Sequence, residues 1–399
     1  MHMHNALSDL RVLDLTQAMA GPICGMLLGD FGADVIKIER PDSGDASRGW
    51  GPPFVQSESA YYLSANRNKR SLTLNLDKPE AIDILHELAR GADIFLVNQP
   101  SLASLQKREH DYETLRALNP RLIYVSITGY GFTGPNVGLA GYDLIAQGEA
   151  GLMSFTGNED WEPMRYPVPV ADITTGLYAT LGVLVALRAR EQSGVGQFID
   201  IALFDSQLTW LNHIGSNYLN AHQEPQKIGN THASIVPYQV FRAKDKHFII
   251  GVGSEVLWKK FLRVLDAEAT LGTDERFASN RSRYAHRHEL VAKIQTLLET
   301  QPAAHWIEKL RAAEIPSGPI NSAAEALNDA QTRARGMIVE IEHPLIGIAK
   351  SVGNPIHFSD TPVSYRLHPP LLGEQTDEIL REVGKTNSEI EQFRKEKIV

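Results

Sequence analysis

The sequence predicts an α/β protein: a large domain on a parallel sheet, then a smaller α+β domain. Three observations carry this reading. Up to Ala202, short apolar runs alternate with segments of helical period, the pattern of repeated β-α-β units. From 236 onward, strands and helices follow without that spacing. With 399 residues, 43% of them hydrophobic and 22% charged, the chain is long enough for two ordinary cores.

The elements follow in order. Val12-Leu-Asp-Leu15 is a short strand, and 16–22 a loop of small residues. The pattern predicts a helix over 23–31, with Gly25 and Gly29 for tight packing, and a second strand over 34–38, closed by Glu39-Arg40-Pro41. An irregular glycine-rich loop over 42–53 holds Arg48 and Trp50. Asn66-Arg-Asn-Lys-Arg70 leads into an alternating strand over 71–76; this basic cluster reads either as a solvated face or as an attractor for a polyanion. A helix is expected over 79–90, a strand over 93–97 ending at Asn98, a helix over 112–118 and a strand over 122–127. Polar residues at strand C-termini are where open α/β sheets place ligand contacts. Glycine-rich 128–135 follows, and Gly141-Tyr-Asp143 opens a helix to about 150.

Pro169-Val-Ala-Asp172-Ile-Thr-Thr-Gly176 precedes an apolar helix expected over 177–190, with Asp172 as its N-cap. At that position the helix dipole keeps the carboxylate ionised, as a nucleophile requires. A strand over 198–202 and one long amphipathic helix over 206–222 come next. Strands over 236–241 and 247–252, then helices over 255–265, 288–300 and 303–313, make the second domain. A hairpin over 337–341 and 348–352 precedes one final helix. The expected domains are 1–205 completed by 350–399, a linker over 206–235, a small domain over 236–325 and a return linker over 326–349.

The formal charge of -9 and the absence of a long Lys/Arg run argue against nucleic acid and against a membrane as partners. No apolar run approaches a membrane span on this reading. One cysteine, Cys24, permits no internal disulfide, and with no signal segment a cytoplasmic location is expected. His2 and His4 have the look of a metal pair, but at a terminus they read as a frayed end or a tag remnant. There is no nucleophile elbow, zincin motif or Walker loop, and no metal is expected. The first β-α-β unit lacks G-x-G-x-x-G, and Pro22 removes an amide a pyrophosphate site would use. A nucleotide-like ligand other than a nicotinamide cofactor is the reading.

Taken together, the N-terminal strand with Ala20-Gly-Pro22, Gly32-Ala-Asp-Val-Ile-Lys-Ile-Glu-Arg-Pro41, Asn68-Lys-Arg-Ser71, Leu118-Asn-Pro120 with Gly129-Tyr130, Ala171-Asp172, Asp200-Ile-Ala202 and Leu371-Leu-Gly-Glu-Gln-Thr-Asp377 resemble the family III CoA-transferases, the formyl-CoA:oxalate and carnitine group, over nearly the whole chain. The resemblance implies Asp172 as nucleophile. It implies coenzyme A contacts at Ala20, Arg40, Leu74 and Asn98, and places Tyr142 at the acyl site. The family's arginine for the CoA phosphate falls on Lys107 or Arg108, in a segment that departs from the family pattern, as does Met19 where a glutamine is common. The nearest counterpart of the family's glycine lid is Gly229-Asn-Thr-His-Ala-Ser234. An interlocked homodimer is implied, each site drawing on both chains. Selectivity for the acyl donor and the acid acceptor is expected at Arg48 and Trp50, with His232 and Ser234 from the partner.

The chemistry implied is transfer of CoA from an acyl-CoA to a free carboxylic acid. Asp172 attacks the thioester to give an aspartyl mixed anhydride, then an aspartyl-CoA thioester. A carboxylate of ordinary pKa, about 4, needs no base for this. The alternative on the same fold is α-methylacyl-CoA racemase chemistry, with Asp172 as a base; a tyrosine at 142, where racemases carry histidine, suits a two-base shuttle poorly. A non-catalytic CoA-binding protein is disfavoured by Asp172 and its small neighbours.

Overall fold

The computed structural model describes residues 5–399. His2 and His4 lie outside the described residues.

Six parallel strands form the main sheet. They are β1 (Arg11–Asp14), β2 (Asp34–Glu39), β3 (Lys69–Thr73), β4 (Ile94–Val97), β5 (Ile123–Thr128) and β6 (Phe198–Ala202), in the order β3-β2-β1-β4-β5-β6. Register is set by pairs such as Val12 with Val35, Val12 with Ile94 and Val125 with Ile199. The order reverses between β1 and β4. That switch point leaves a crevice at the strand C-termini, where a doubly wound sheet takes its ligand.

Side-chain alternation sorts the core into two layers. Leu13, Ile36, Leu72 and Phe95 face α2 (Pro79–Arg90) and α3 (Tyr112–Leu118). Their neighbours Val12, Val35, Ile94 and Val125 face α1 (Ala20–Asp30) and the long α5 (Val170–Ser193). Between them in the chain lies the short α4 (Asp143–Glu149), and α6 (Leu203–Leu208) follows β6.

The chain divides into two compact units, the first comprising 1–152, 165–221 and 330–399, the second 153–164 and 222–329. The second unit has an antiparallel sheet of β7 (Tyr238–Arg242), β8 (His247–Gly251) and β9 (Ser317–Pro319), packed with α7 (Glu255–Val264), α8 (Arg287–Leu298) and α9 (Ala303–Ala312). In the first unit a hairpin, β10 (Ile338–His343) and β11 (Gly347–Val352), precedes α10 (Thr376–Glu382) and α11 (Asn387–Lys395).

Several expectations need correction. The single helix over 206–222 is broken: α6 ends at Leu208, a tight turn spans Thr209–Leu211, and a new helix runs Asn212–Ala221 from Asn212 at φ +36°. The one C-terminal helix is two, because Gly384 in left-handed geometry separates α10 from α11. The basic cluster is neither a solvated face nor a ligand attractor. Arg67 and Lys69 are buried, on Asp30 at 2.7 Å and Asp14 at 2.9 Å, and Arg70 reaches Asp34 at 2.7 Å. Finally, α5 is long and apolar enough to cross a membrane by length and composition, contrary to the sequence reading, with half of its most apolar window buried in the fold.

Candidate active site

Asp172 does not cap its helix. The helix begins two residues earlier, at Val170, so Asp172 lies in its first turn. The N-cap residue is Pro169, which has no side-chain acceptor to offer. Asp143 supplies one from another element: its Oδ1 accepts the Ala171 amide at 2.8 Å, meeting an N–H that a helix start leaves unpaired. The other carboxylate oxygen accepts from Gln147 Nε2 at 2.7 Å, and Gln147 Oε1 accepts the Tyr166 amide at 2.8 Å.

Gly176 lets this helix approach α1. A Cβ there would sit 2.6 Å from the Ala20 carbonyl oxygen. A second close approach is Gly129 against Gly141, where a Cβ on either would fall within 2.7 Å of the other's backbone. This crossing seats Tyr142 at the start of α4, with 67% of its surface exposed to the cleft and to solvent.

The cleft at the switch point brings together Gln17, Ala18, Ala20, Trp50, Asn98, Tyr142 and Asp172. Asn98, at the end of β4, spans the reversal: its Nδ2 donates to the Gln17 carbonyl at 2.9 Å and its Oδ1 accepts the Gln17 amide at 3.2 Å. A second hollow, lined by Glu39, Arg40, Leu74, Asn75 and Arg108, shares Gln17 and Gln99 with the first. The two hollows therefore adjoin, one lined by Asp172 and the other by Arg40 and Arg108.

The loop after β1 is held from beneath. Lys37 and Asp45 form a fully buried ion pair at 2.8 Å. Lys37 Nζ donates to the Thr16 carbonyl at 2.9 Å, and Asp45 Oδ1 accepts the Ala18 amide at 3.0 Å. Ala18 sits at φ +69°, a left-handed conformation costly for a residue with a Cβ and kept only where surroundings enforce it. Burial disfavours the Asp45 charge, but Lys37 and the amides overcome it and hold Asp45 down to about 2.

Asp172 is not an ordinary ionised carboxylate. Burial, and then the negative charge of Asp143, push it up to about 7. The expectation that the helix dipole keeps it ionised fails here, because desolvation in the cleft outweighs the dipole. Burial, followed by Asp172, also pushes the Tyr61 phenol up to about 12.

Two sequence candidates, Arg48 and Lys107, do not join Asp172. Arg48 turns away from the cleft: Nε and Nη2 meet the two oxygens of Glu39 at 2.8 Å each, and Nη2 also reaches Tyr62 Oη at 2.6 Å and the Pro370 carbonyl at 3.0 Å. Lys107 lines a further surface hollow, which shares Leu76, Asp77 and Arg108 with the hollow that bears Arg40. His232 and Ser234, expected from a partner chain, belong to the second unit, and His232 Nδ1 accepts the Ser234 and Ile235 amides at 3.1 Å each. Trp50 does line the cleft, edge-on to Tyr61 with ring centres 4.9 Å apart. The sequence reading passed over Gln17, Gln99, Asp45 and Asp143; only Asp143, adjacent to Tyr142, carried a local signal.

The fold is a doubly wound α/β sheet with hollows at its switch point, one of them lined by the half-buried carboxylate of Asp172. The family model described as CoA-transferase family III matches residues 7–376, and the chain belongs to that family. It is 40% identical over 377 residues to the succinyl-CoA:glutarate CoA-transferase of Mus musculus, covering 94% of this chain and 86% of that protein. It is 41% identical over 383 residues to the succinate–glutarate CoA-transferase of Agrobacterium fabrum, covering 94% and 95%. Among solved structures, a CAIB/BAIF family protein from Brucella suis superposes with a TM-score of 0.84 at 39% identity, over 95% of this chain and 100% of that one.

Proposed function

We propose that this CoA-transferase moves CoA between short dicarboxylic acids, of the succinate and glutarate kind, through covalent intermediates on Asp172. The observation that carries the reading is the placement of Asp172 in the switch-point cleft, which adjoins, through Gln17 and Gln99, the hollow lined by Arg40 and Arg108. The dicarboxylate preference follows from the relatives named above.

Coenzyme A lies across the two adjoining hollows in this reading, with its adenine end by Leu74 and Arg40 and its thioester by Asp172, Gln17 and Tyr142. Arg108 is the phosphate contact favoured over Lys107, since Arg108 lines the hollow that also holds Arg40 and Leu74 and Lys107 does not. Its ion pair with the half-exposed Asp77, at 2.8 Å, is of a kind worth only about 0–1 kcal/mol and yields readily to a phosphate.

An ionised Asp172 oxygen attacks the thioester carbonyl. A C–O bond forms, the C–S bond breaks, and CoA leaves as thiolate, giving the mixed anhydride. The thiolate attacks the aspartyl carbonyl, forming aspartyl-CoA and releasing the donor acid. The acceptor carboxylate then attacks that thioester, and CoA thiolate returns to the new acyl carbonyl, restoring Asp172. Negative charge builds on a carbonyl oxygen at each attack. The amides at the start of α1 and the Gln17 carboxamide border the same cleft and are the donors for it.

A homodimer is part of the proposal. On α5, Leu177, Leu181, Leu184 and Val185 form an apolar stripe at helical spacing, each more than a third exposed. Such a stripe calls for a cover.

The test is to mix the protein with succinyl-CoA and glutarate and follow both thioesters by mass spectrometry. Glutaryl-CoA and succinate rising in equal amounts is the expected result. No transfer to any short diacid, together with deuterium entering the α-carbon of a branched acyl-CoA, would replace this reading with the racemase chemistry.

A further inference from the structure

We propose that Asp143 is the positioning residue of the reaction: it caps the helix carrying Asp172 from outside that helix, and sets beside it a negative charge whose repulsion is relieved when Asp172 is acylated. The proposal rests on Asp172 being the nucleophile.

Two features argue for it. The first is the cap. Helix α5 opens on Pro169, so its first turn depends on Asp143, one residue from Asp172 through the Ala171 amide. Asp143 is itself buried and fixed by Gln147, which is tied to Tyr166 at both amide atoms. A cap could come from any acceptor, and serine or asparagine serves helix starts as well as aspartate. The second feature is therefore the choice of a buried carboxylate next to another carboxylate. The Asp143 charge disfavours ionisation of Asp172, as a nearby like charge does.

The surroundings give that charge no local rival. Around Asp172, Tyr142 and Tyr61 are the titratable groups of the cleft and the packed face, and burial keeps the Tyr61 phenol neutral at up to about 12. From α1 comes Cys24, also pushed by burial to about 12 and uncharged. Glu149 lies at the far end of α4, Asp205 is on α6 and Asp200 on β6; of all these, Asp143 is the charge that raises the proton affinity of Asp172. Among the described residues, no lysine or arginine lines the cleft that holds Asp172.

The chemistry uses this arrangement directly. Before attack, two negative carboxylates stand together; in the anhydride and in aspartyl-CoA, Asp172 is neutral. Acylation thus removes the repulsion, and the more basic carboxylate is the stronger nucleophile. Release of Asp172 at the end restores it.

The experiment uses the full chain and Asp143→Asn, which keeps an oxygen for the Ala171 amide but drops the charge. Adduct formation on mixing with succinyl-CoA is followed from pH 5 to 9. In the wild type the rate is expected to rise with a midpoint near the Asp172 value of about 7. In Asp143→Asn the midpoint is expected to fall by a unit or more. With a Brønsted slope of about 0.5, as for thiolates, a one-unit loss of basicity slows the plateau at high pH about threefold. An unchanged midpoint overturns the proposal, even where the mutant is less stable, because a structural cap alone leaves the titration in place. A second readout needs no chemistry: the stability gained by Asp172→Asn at pH 8 is expected to be smaller in the Asp143→Asn background, and an equal gain in both overturns the proposal. An absent wild-type adduct with a changed stability gain would instead fault the nucleophile reading and leave the electrostatic one standing.

Discussion

Asp172 owes its character to its address rather than its residue type. Burial and Asp143 place its titration near neutrality, so the free enzyme at pH 7 holds both forms. The consequence for stability has a definite sign. Below about pH 3 the group is protonated in folded and unfolded chains alike, and folding bears no cost for it. As the pH rises, the unfolded chain ionises first and the fold must carry a buried charge; the stability present at low pH is lost as pH passes through about 7. Asp172→Asn should therefore abolish transfer while stabilising the protein by about 2–4 kcal/mol at pH 8, screening at the cleft mouth included, and by almost nothing at about pH 3. Urea unfolding at the two pH values checks it. Equal effects at both would mean that Asp172 is not strained in the fold. Little of this was visible in the sequence. Asp172 stood out from its neighbours, but its cap and its charged neighbour come from Asp143, which no local pattern connects to it. Arg48 misled for the same reason, since its partner Glu39 ends a separate strand.

At the scale of elements, the reactive geometry depends on close approaches and buried pairs. Replacing Gly176 with alanine would by itself favour a helix by about 1 kcal/mol. Here the new Cβ meets the Ala20 carbonyl at 2.6 Å, so the net effect should be destabilising, with α5 displaced and transfer slowed. A thermally more stable Gly176→Ala protein with unimpaired turnover would show that the helices separate at no cost. The Lys37–Asp45 pair makes a second test. Lys37→Met leaves Asp45 buried and unpaired and frees the loop bearing Ala18, for a loss of about 3–5 kcal/mol. Adding Asp45→Leu should return part of that stability but not CoA binding, read by denaturation and calorimetry on the same samples. The strands and most helices of the sheet were legible because alternation and helical period report burial directly: α2 and α3 fall at the predicted residues. The start of α5 was not, because two threonines and Pro169 look non-helical until the distant cap is known. The basic cluster at 66–70 was misread because its partners Asp14, Asp30 and Asp34 lie in other elements.

For the whole molecule, the doubly wound sheet puts a groove at its switch point, and the family supplies the reaction for it. The α5 stripe predicts a dimer, so light scattering should return twice the 44.2 kDa chain mass. Replacing Leu181 and Val185 with glutamate should dissociate it. A monomeric wild-type protein would leave the stripe unexplained and the dimer reading wrong. The measurement that bears most directly on the central claim is the mass of the intact protein mixed with succinyl-CoA, trapped with hydroxylamine and mapped by peptide. The expected result is a covalent adduct on Asp172 that is missing from Asp172→Asn. Steady CoA transfer with no adduct, or an adduct on another residue, would contradict the covalent role of Asp172.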